Sequence, residues 1–338
     1  MSLKYVKLGR TGAKVSDLCL GSDHFGFQGG ADEQVSRRIL GGALDAGINF
    51  VDTADSYNEG RSEEFIGRYL KDSGRRDQVV LATKCRSRTG AGPNDAGASR
   101  YHIARAVEGS LRRLQTDRID LYYIHAFDPT TPLDETVSAL DLLVRQGKVL
   151  YIGCSNFAAW HLAKSLWLSD VRNMARFDAI QSVFNIVQPG LAREVIPFSM
   201  QEGVAVVPYS PLGSGFLTGK LPREAPRPDS KIFQRDAVRG PVLTPRYFQE
   251  AKLGVVEKLR GVSERYGQPM VRLALHWVRQ TPGVTAPIFG ARTEEQLNGT
   301  LEAWNTEPPA EAMAEVRQIA DAFAASAPME YPPAPSPL

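Results

Sequence analysis

Eight short runs of apolar, β-branched or aromatic residues recur along the chain, separated by polar segments with helical periodicity. The runs are Leu18-Cys19-Leu20, Ile48–Val51, Val79–Ala82, Ile119–Ile124, Val149–Ile152, Ala179-Ile180-Gln181, Val204–Val207 and Val284–Ile288. Most follow one another at a step of about 30 residues, the length of one strand–helix unit. They are continuously apolar and do not alternate, which predicts parallel strands buried on both faces. Between them, Leu133, Val137, Leu140 and Val144 repeat at helical spacing behind Thr131-Pro132-Leu133-Asp134, which reads as a capping box with proline in the first turn. Ser62 ahead of Glu63 and Glu64 predicts an N-cap followed by first-turn acids, and Ser99 predicts the start of a helix reaching about Arg113.

Eight strands alternating with helices predict an α/β fold, a closed (β/α)8 TIM barrel, with an open doubly wound sheet as the fallback. Lys4–Leu8 and Lys14–Ser16, joined by Gly9-Arg10-Thr11-Gly12, predict an N-terminal β-hairpin that plugs the N-terminal end of the barrel. Extra C-terminal helices are expected near 246–266 and 269–280, after a loop from Pro222 to Pro245 rich in Pro, Arg and Asp that reads as a lid or as disorder. Residues 1–338 are expected to form a single domain, with the barrel over about 3–325 and a proline-rich tail at 326–338 to which no chemistry is assigned.

Composition narrows the function classes. The 338 residues are 43% apolar and 23% charged, with 40 basic against 38 acidic side chains and a net charge of +2. That balance gives no reason to expect nucleic acid or another polyanion as partner. No apolar run has the length of a membrane span, and the N-terminus lacks the apolar core of a secretory signal. The three cysteines, Cys19, Cys85 and Cys154, are widely separated and suit buried thiols in a reducing compartment, so a cytoplasmic location is expected. The five histidines show no ligand spacing, and no metal is expected.

Four side chains carry the candidate chemistry: Asp52, Tyr57, Lys84 and His125. Each lies at or just after the C-terminal end of a predicted strand, where the loops of a barrel gather catalytic groups. Singly, each has a structural reading: a strand-end Asp caps a loop, most lysines are solvated, a loop tyrosine is exposed, and a histidine after an apolar strand belongs to the core. Together on one rim, at consecutive strand ends, they suit protonation of a carbonyl oxygen while hydride arrives at its carbon. A free phenol is too weak an acid near neutrality, and the Lys84 ammonium is expected to lower its pKa, with Asp52 as the counter-charge of the lysine. His125 is expected to orient the carbonyl.

The stretch Gly47-Ile48-Asn49-Phe50-Val51-Asp52-Thr53-Ala54-Asp55-Ser56-Tyr57, with Gly60-Arg61-Ser62-Glu63, Thr83-Lys84 and Asp120-Leu121-Tyr122-Tyr123-Ile124-His125, resembles the aldo-keto reductases. Gly153-Cys154-Ser155-Asn156-Phe157, Pro208-Tyr209-Ser210-Pro211-Leu212-Gly213 and Gly290-Ala291-Arg292-Thr293-Glu294-Glu295-Gln296-Leu297 extend the resemblance over roughly residues 3 to 325. It implies a TIM barrel, NADPH as hydride donor, and Asp52, Tyr57, Lys84 and His125 as the catalytic tetrad. It also implies that Ser155, Asn156 and Gln181 hold the nicotinamide carboxamide, that Tyr209 stacks on the ring, and that Ser210, Leu212 and Ser214 run along the phosphates.

No Gly-x-Gly-x-x-Gly follows the first strand; Gly213-Ser214-Gly215 follows the seventh, where barrels often bind phosphate, although a flexible turn fits as well. Gly290, Ala291 and Arg292 open the last barrel helix, and Arg292 is the candidate for the 2′-phosphate. Gln296 belongs to the same contact surface and also completes a capping box with Thr293. The chain departs from the family at Gly299-Thr300, where relatives usually carry a polar pair ending in asparagine at the adenine contact.

For the pocket mouth the candidates are His24, Phe25 and Phe27 after the first strand, Arg86 and Arg88 after the third, and Phe127 after the fourth. Segment 86–100 reads as mobile from its Gly, Ser and Asn content. The expected partner is a small carbonyl or sugar substrate, and homo-oligomerisation is left open. Two other readings are kept: a cofactor-binding interaction protein with slow turnover, like the β subunits of potassium channels, and an unrelated barrel hydrolase using Asp52 and His125.

Overall fold

A computed structural model describes residues 3–26, 30–220 and 246–327. Eight parallel strands form one sheet: β3 (Cys19–Gly21), β4 (Phe50–Asp52), β5 (Val80–Cys85), β6 (Ile119–Ile124), β7 (Val149–Ser155), β8 (Phe177–Gln181), β9 (Ala205–Val206) and β10 (Ile288–Gly290), the last lying beside β3. The two outer strands meet through bridges between Val206 and Val284 and between Tyr209 and Ile288. Across them Thr285 N–H donates to Val206 O at 2.8 Å and Ile288 N–H to Pro208 O at 2.7 Å. The expected (β/α)8 barrel is therefore what the sheet makes.

Strand bounds differ from the sequence reading in an informative way. The eighth strand was expected over Val284–Ile288 and is found at Ile288–Gly290. Pro287 has no N–H to contribute to a ladder, so Val284 and Thr285 serve β9, and the regular pairing with β3 begins only at Ile288. β5 runs past Ala82 through Lys84, which pairs with Tyr123 of β6. Asp52 and Lys84 thus belong to strands and inherit their rigidity.

Alternation along each strand sorts the side chains into two layers. The inner layer holds Cys19, Phe50, Ala82, Leu121, Tyr123, Ala179, Ala205 and Val207. It is closed at the N-terminal end by Leu8 and Val15, both 0% exposed, from the hairpin β1 (Tyr5–Lys7) and β2 (Lys14–Ser16). The outer layer packs Leu20, Val51, Leu81, Tyr122 and Ile124 against α1 (Glu33–Asp45), α2 (Arg61–Ser73), α3 (Arg100–Leu114), α4 (Leu133–Arg145), α5 (Ala159–Val171) and α6 (Val195–Glu202). The extra helices are α7 (Glu250–Tyr266), which with α8 (Met270–Gln280) precedes β10, and α10 (Ala310–Ser326), which follows α9 (Glu294–Asn305). α7, α8 and α10 share a separate core around Leu259, Leu273 and Val316. The loop expected as a lid lies outside the described residues from 221 to 245, as does the tail from 328.

Two predicted caps are not formed. α2 starts at Arg61, so Ser62 lies inside it, and its hydroxyl is used on Ser22 Oγ at 2.7 Å and Thr53 Oγ1 at 2.9 Å. Thr131 Oγ1 donates to Asp128 Oδ2 at 2.7 Å, and α4 starts after Pro132 without a side-chain cap. Ser99 does cap α3, accepting from His102 N–H.

Candidate active site

The four candidate residues converge at the C-terminal rim of β4, β5 and β6. Asp52 ends β4 and faces the barrel axis, 2% exposed, while Lys84 on β5 is 0% exposed beside it. One Asp52 oxygen accepts from the Lys84 ammonium, and the other accepts from Gln181 Nε2 at 2.9 Å. The ammonium also donates to Thr53 O at 2.8 Å and reaches the Tyr57 hydroxyl at 3.3 Å. Its three N–H groups thus have three acceptors, which is what a buried amine needs in order to keep its charge. Burial opposes that charge, but Asp52 and then the Tyr57 oxygen outweigh it and leave the amine above its ordinary value. Burial also raises Asp52, with Lys84 pulling the other way.

Tyr57 is delivered by a one-turn 3-10 segment, Tyr57–Gly60, in which Asn58, Glu59 and Gly60 have φ of 54°, 60° and 88°. Asn58 fixes this turn to the loop after β3 by donating to Phe25 O at 2.6 Å and Asp23 O at 3.1 Å. Gly60 is required twice over: its φ is left-handed, and a Cβ there would sit 2.7 Å from Arg113. The expected lowering of the phenol is not the net result. Desolvation raises Tyr57 and Lys84 pulls the other way, and the net of the two still leaves the phenol at about 12. The phenol is therefore fully protonated near neutrality, the form a general acid must start from.

His125 follows β6 and is held through its backbone: its N–H donates to Cys85 O at 2.9 Å, and its carbonyl accepts from Asn156 Nδ2 at 3.1 Å. Its ring meets the Tyr57 ring edge-on, centroids 5.6 Å apart at 73°. Burial, then Lys84 and Arg86, push the imidazole down to about 3, so it works as a neutral ring. Ser87 Oγ lies 3.4 Å from its Nδ1. Sequence reasoning missed Ser87; its place three residues after Lys84, on the loop leaving β5, was the available signal.

The expected cofactor residues line the rim from β7 round to β10. Asn156, at φ 55°, donates to Ser155 Oγ at 3.0 Å and accepts from the Tyr209 hydroxyl at 3.0 Å. Gln181 turns its nitrogen towards Asp52, which joins the amide rim to the catalytic pair. After β9, Ser210, Ser214 and Gly215 have φ of 55°, 55° and 95°, around the part-buried Leu212. A Cβ on Gly215 would meet nothing within 4 Å, so the backbone is open to close approach there. Gly290 ends β10 beside His24. Arg292 N–H donates to Gln296 Oε1 at 2.8 Å while Gln296 N–H donates to Thr293 Oγ1 at 3.3 Å, so Thr293 caps the helix. The Gln296 side chain reaches back to Arg292 and not to Thr293 N–H, and only half of the expected capping box forms. An amide-lined rim beside Tyr209, an open left-handed loop and a helix N-terminus carrying arginine together fit a dinucleotide.

The pocket candidates separate. His24 stays at the rim, its Nε2 3.6 Å from Asp23 Oδ1. Phe25 is 1% exposed and belongs to the outer core, which corrects its assignment to the pocket mouth. Phe27 lies outside the described residues. Arg86 is 3% exposed, buried against the Phe127 carbonyl at 3.5 Å and not lining the mouth. Arg88 donates to Gly90 O and Gly92 O of its own loop at 3.2 and 3.0 Å. The Phe127 ring stacks on His161 at 3.6 Å and meets Phe157 edge-on, so it packs between the loops after β6 and β7. The 86–100 segment, expected to be mobile, is closed by Gly97 N–H to Arg86 O and Thr89 N–H to Asp95 O, both 2.9 Å.

Comparison with known proteins agrees with this geometry. The chain is 41% identical over 310 residues to the uncharacterized oxidoreductase YrpG of Bacillus subtilis, covering 89% of this chain and 91% of that protein. It is 33% identical over 309 residues to a probable voltage-gated potassium channel subunit beta of Oryza sativa, covering 90% and 92%. It is 31% identical over 309 residues to L-glyceraldehyde 3-phosphate reductase of Escherichia coli K12, covering 90% and 88%. The model of the aldo/keto reductase family matches residues 17–321, and the chain, an oxidoreductase by that relationship, belongs to this family.

Proposed function

We propose that this protein reduces an aldehyde, ketone or sugar carbonyl to the alcohol, with NADPH as hydride donor and Tyr57 as general acid. The observation that carries the reading is the unbroken chain from Gln181 through Asp52 and Lys84 to the Tyr57 hydroxyl, with His125 against the same phenol. When bound, the nicotinamide supplies the hydride. The substrate oxygen lies between the phenol and the neutral imidazole, which orients it by hydrogen bonding. As negative charge grows on that oxygen, Tyr57 transfers its proton, and the Lys84 ammonium stabilises the phenolate left behind. Asp52 keeps the ammonium in place. Ser155, Asn156, Gln181 and Tyr209 hold the ring end of the cofactor, Ser210, Leu212, Ser214 and Gly290 follow the phosphates, and Arg292 takes the 2′-phosphate.

The test is multiple-turnover oxidation of NADPH with a panel of aldehydes, ketones, sugars and sugar phosphates, repeated with NADH and against a blank without enzyme. Turnover with at least one class, abolished in Tyr57→Phe, supports the reading; no turnover above the blank with any class sinks it. The resemblance to a potassium channel subunit favours one alternative, a cofactor-binding regulatory protein. Saturable NADPH binding with negligible turnover would select that alternative.

A further inference from the structure

The loop after β9 turns left-handed at Ser210, Gly213, Ser214 and Gly215, with φ of 55°, 58°, 55° and 95°. Glycine adopts that conformation freely, whereas a serine there is strained and persists only where its surroundings fix it. Three polar side chains from two other segments are buried beside this loop. Asn185, Gln188 and Tyr247 are 0%, 7% and 2% exposed.

Asn185 and Gln188 close a short turn beyond β8. Gln188 N–H donates to Asn185 O at 2.9 Å, and Val187 N–H donates to Asn185 Oδ1 at 3.1 Å. The second bond fixes the amide, because its oxygen is taken and its nitrogen must face the remaining acceptors. Asn185 Nδ2 donates to Ser210 O at 3.0 Å and lies 3.4 Å from Gln188 Oε1. Gln188 Oε1 in turn accepts from the Tyr247 hydroxyl at 2.7 Å. The Tyr247 ring stacks on Phe216, centroids 5.5 Å apart at 29°, and a Cβ on Gly213 would sit 3.2 Å from it. The loop is thus gripped at two points, by a hydrogen bond at Ser210 and by ring packing at Gly213 and Phe216. Apolar side chains could fill the same space. A buried polar chain that ends on a main-chain carbonyl adds direction, and such networks specify one conformation.

We propose that Asn185, Gln188 and Tyr247 are positioning residues for the cofactor: they hold the Ser210–Gly215 loop in the left-handed shape that receives its diphosphate. They act through the loop and touch neither the substrate nor the reacting atoms. The inference rests on the reading above for its ligand, though not for the hold on the loop.

Tyr247→Phe removes the hydroxyl and keeps the ring. Hydrogen–deuterium exchange of the 210–217 amides should be faster than in the wild type, since Gly213, Gly215 and Leu217 N–H are protected by bonds within the loop. A loop that its ligand must first order binds that ligand more weakly. The NADPH dissociation constant is therefore expected to rise about tenfold, equivalent to about 1.4 kcal/mol. KM for NADPH should rise with it, while kcat at saturating NADPH does not fall. Asn185→Leu leaves the Ser210 carbonyl without its donor and should show both changes more strongly. If that variant does not fold, Tyr247→Phe carries the test alone. Tyr266→Phe is the control: the Tyr266 hydroxyl donates to Glu315 Oε1 at 2.8 Å and ties α7 to α10, so a tyrosine hydrogen bond is lost away from the loop. It should leave the exchange of 210–217 and the NADPH affinity as they are. Unchanged exchange or unchanged NADPH affinity in Tyr247→Phe overturns the proposal, as do equal changes in Tyr266→Phe. Should the wild type bind no NADPH, the reading above fails, and exchange by itself decides whether the network holds the loop.

Discussion

The Lys84 ammonium reaches the Tyr57 hydroxyl at 3.3 Å while it is bonded to Asp52 and to the carbonyl of Thr53. That contact crosses between neighbouring strands, because Lys84 lies within β5 and Tyr57 on the turn after β4. It gives the phenol a neighbour that favours its ionised form, in surroundings whose net effect still holds it at about 12. The resting protein therefore holds a proton on Tyr57 beside the Lys84 cation.

Tyr57→Phe deletes the acid and little else. Steady-state reduction should fall by about 10²–10⁴ in kcat, while NADPH titration by fluorescence quenching gives the wild-type affinity. A variant with wild-type turnover would remove Tyr57 from the chemistry.

Lys84→Met leaves the Asp52 carboxylate, 2% exposed, without its ammonium. Removing one partner of a buried pair costs about 3–5 kcal/mol, to be read from urea unfolding. The double variant Asp52→Asn/Lys84→Met should recover part of that loss without recovering activity.

His125 sets a pH dependence of stability. Its folded pKa is about 3, against about 6.5 in an unfolded chain. Between those values the unfolded state binds a proton that the native state refuses, so stability present above about 6.5 is lost as pH falls towards 3, at up to about 1.4 kcal/mol per pH unit. Urea midpoints at neutral and mildly acid pH should differ less in His125→Gln than in the wild type. Some slope should persist, because His161 is also pushed down, to about 4.

Gly60→Ala combines a left-handed φ of 88° with a contact at 2.7 Å to Arg113. The strain should cost about 1–3 kcal/mol and disturb the turn that delivers Tyr57, lowering kcat as well as Tm. Loss of stability with unchanged kcat would show that the turn does not position the phenol.

Arg292→Ala should weaken NADPH binding by about ten- to a hundredfold, the weight of a charge-assisted hydrogen bond, and leave NADH affinity unchanged. Equal losses for both cofactors would take the 2′-phosphate away from Arg292.

The alternation of apolar runs with helical segments was legible in the chain itself, as was the placement of Asp52, Tyr57, Lys84 and His125 at or just after strand ends, because each strand end is a local event marked by local residues. The hairpin was legible too, its Leu8 and Val15 reaching the inner core as the pattern implied. Side-chain direction beyond a strand end was not. Phe25 and Phe127 follow their strands as a pocket residue would, yet they pack into the outer layer, and Ser62 bonds to Ser22 and Thr53 where a cap was expected. Arg86 is buried against the Phe127 carbonyl, on a loop that bonds to itself.

What the sequence determined by itself was the order of the strands and the chemical types that end them, since periodicity and spacing act over a few residues. The tertiary structure decided how the barrel closes, through Val206 with Val284 and Tyr209 with Ile288, and which proton each site residue keeps. Burial is a sum over segments far apart in the chain: for Tyr57 that sum outweighs the pull of Lys84, and for His125 it acts in the same direction as Lys84 and Arg86, so burial leads in setting both protonation states.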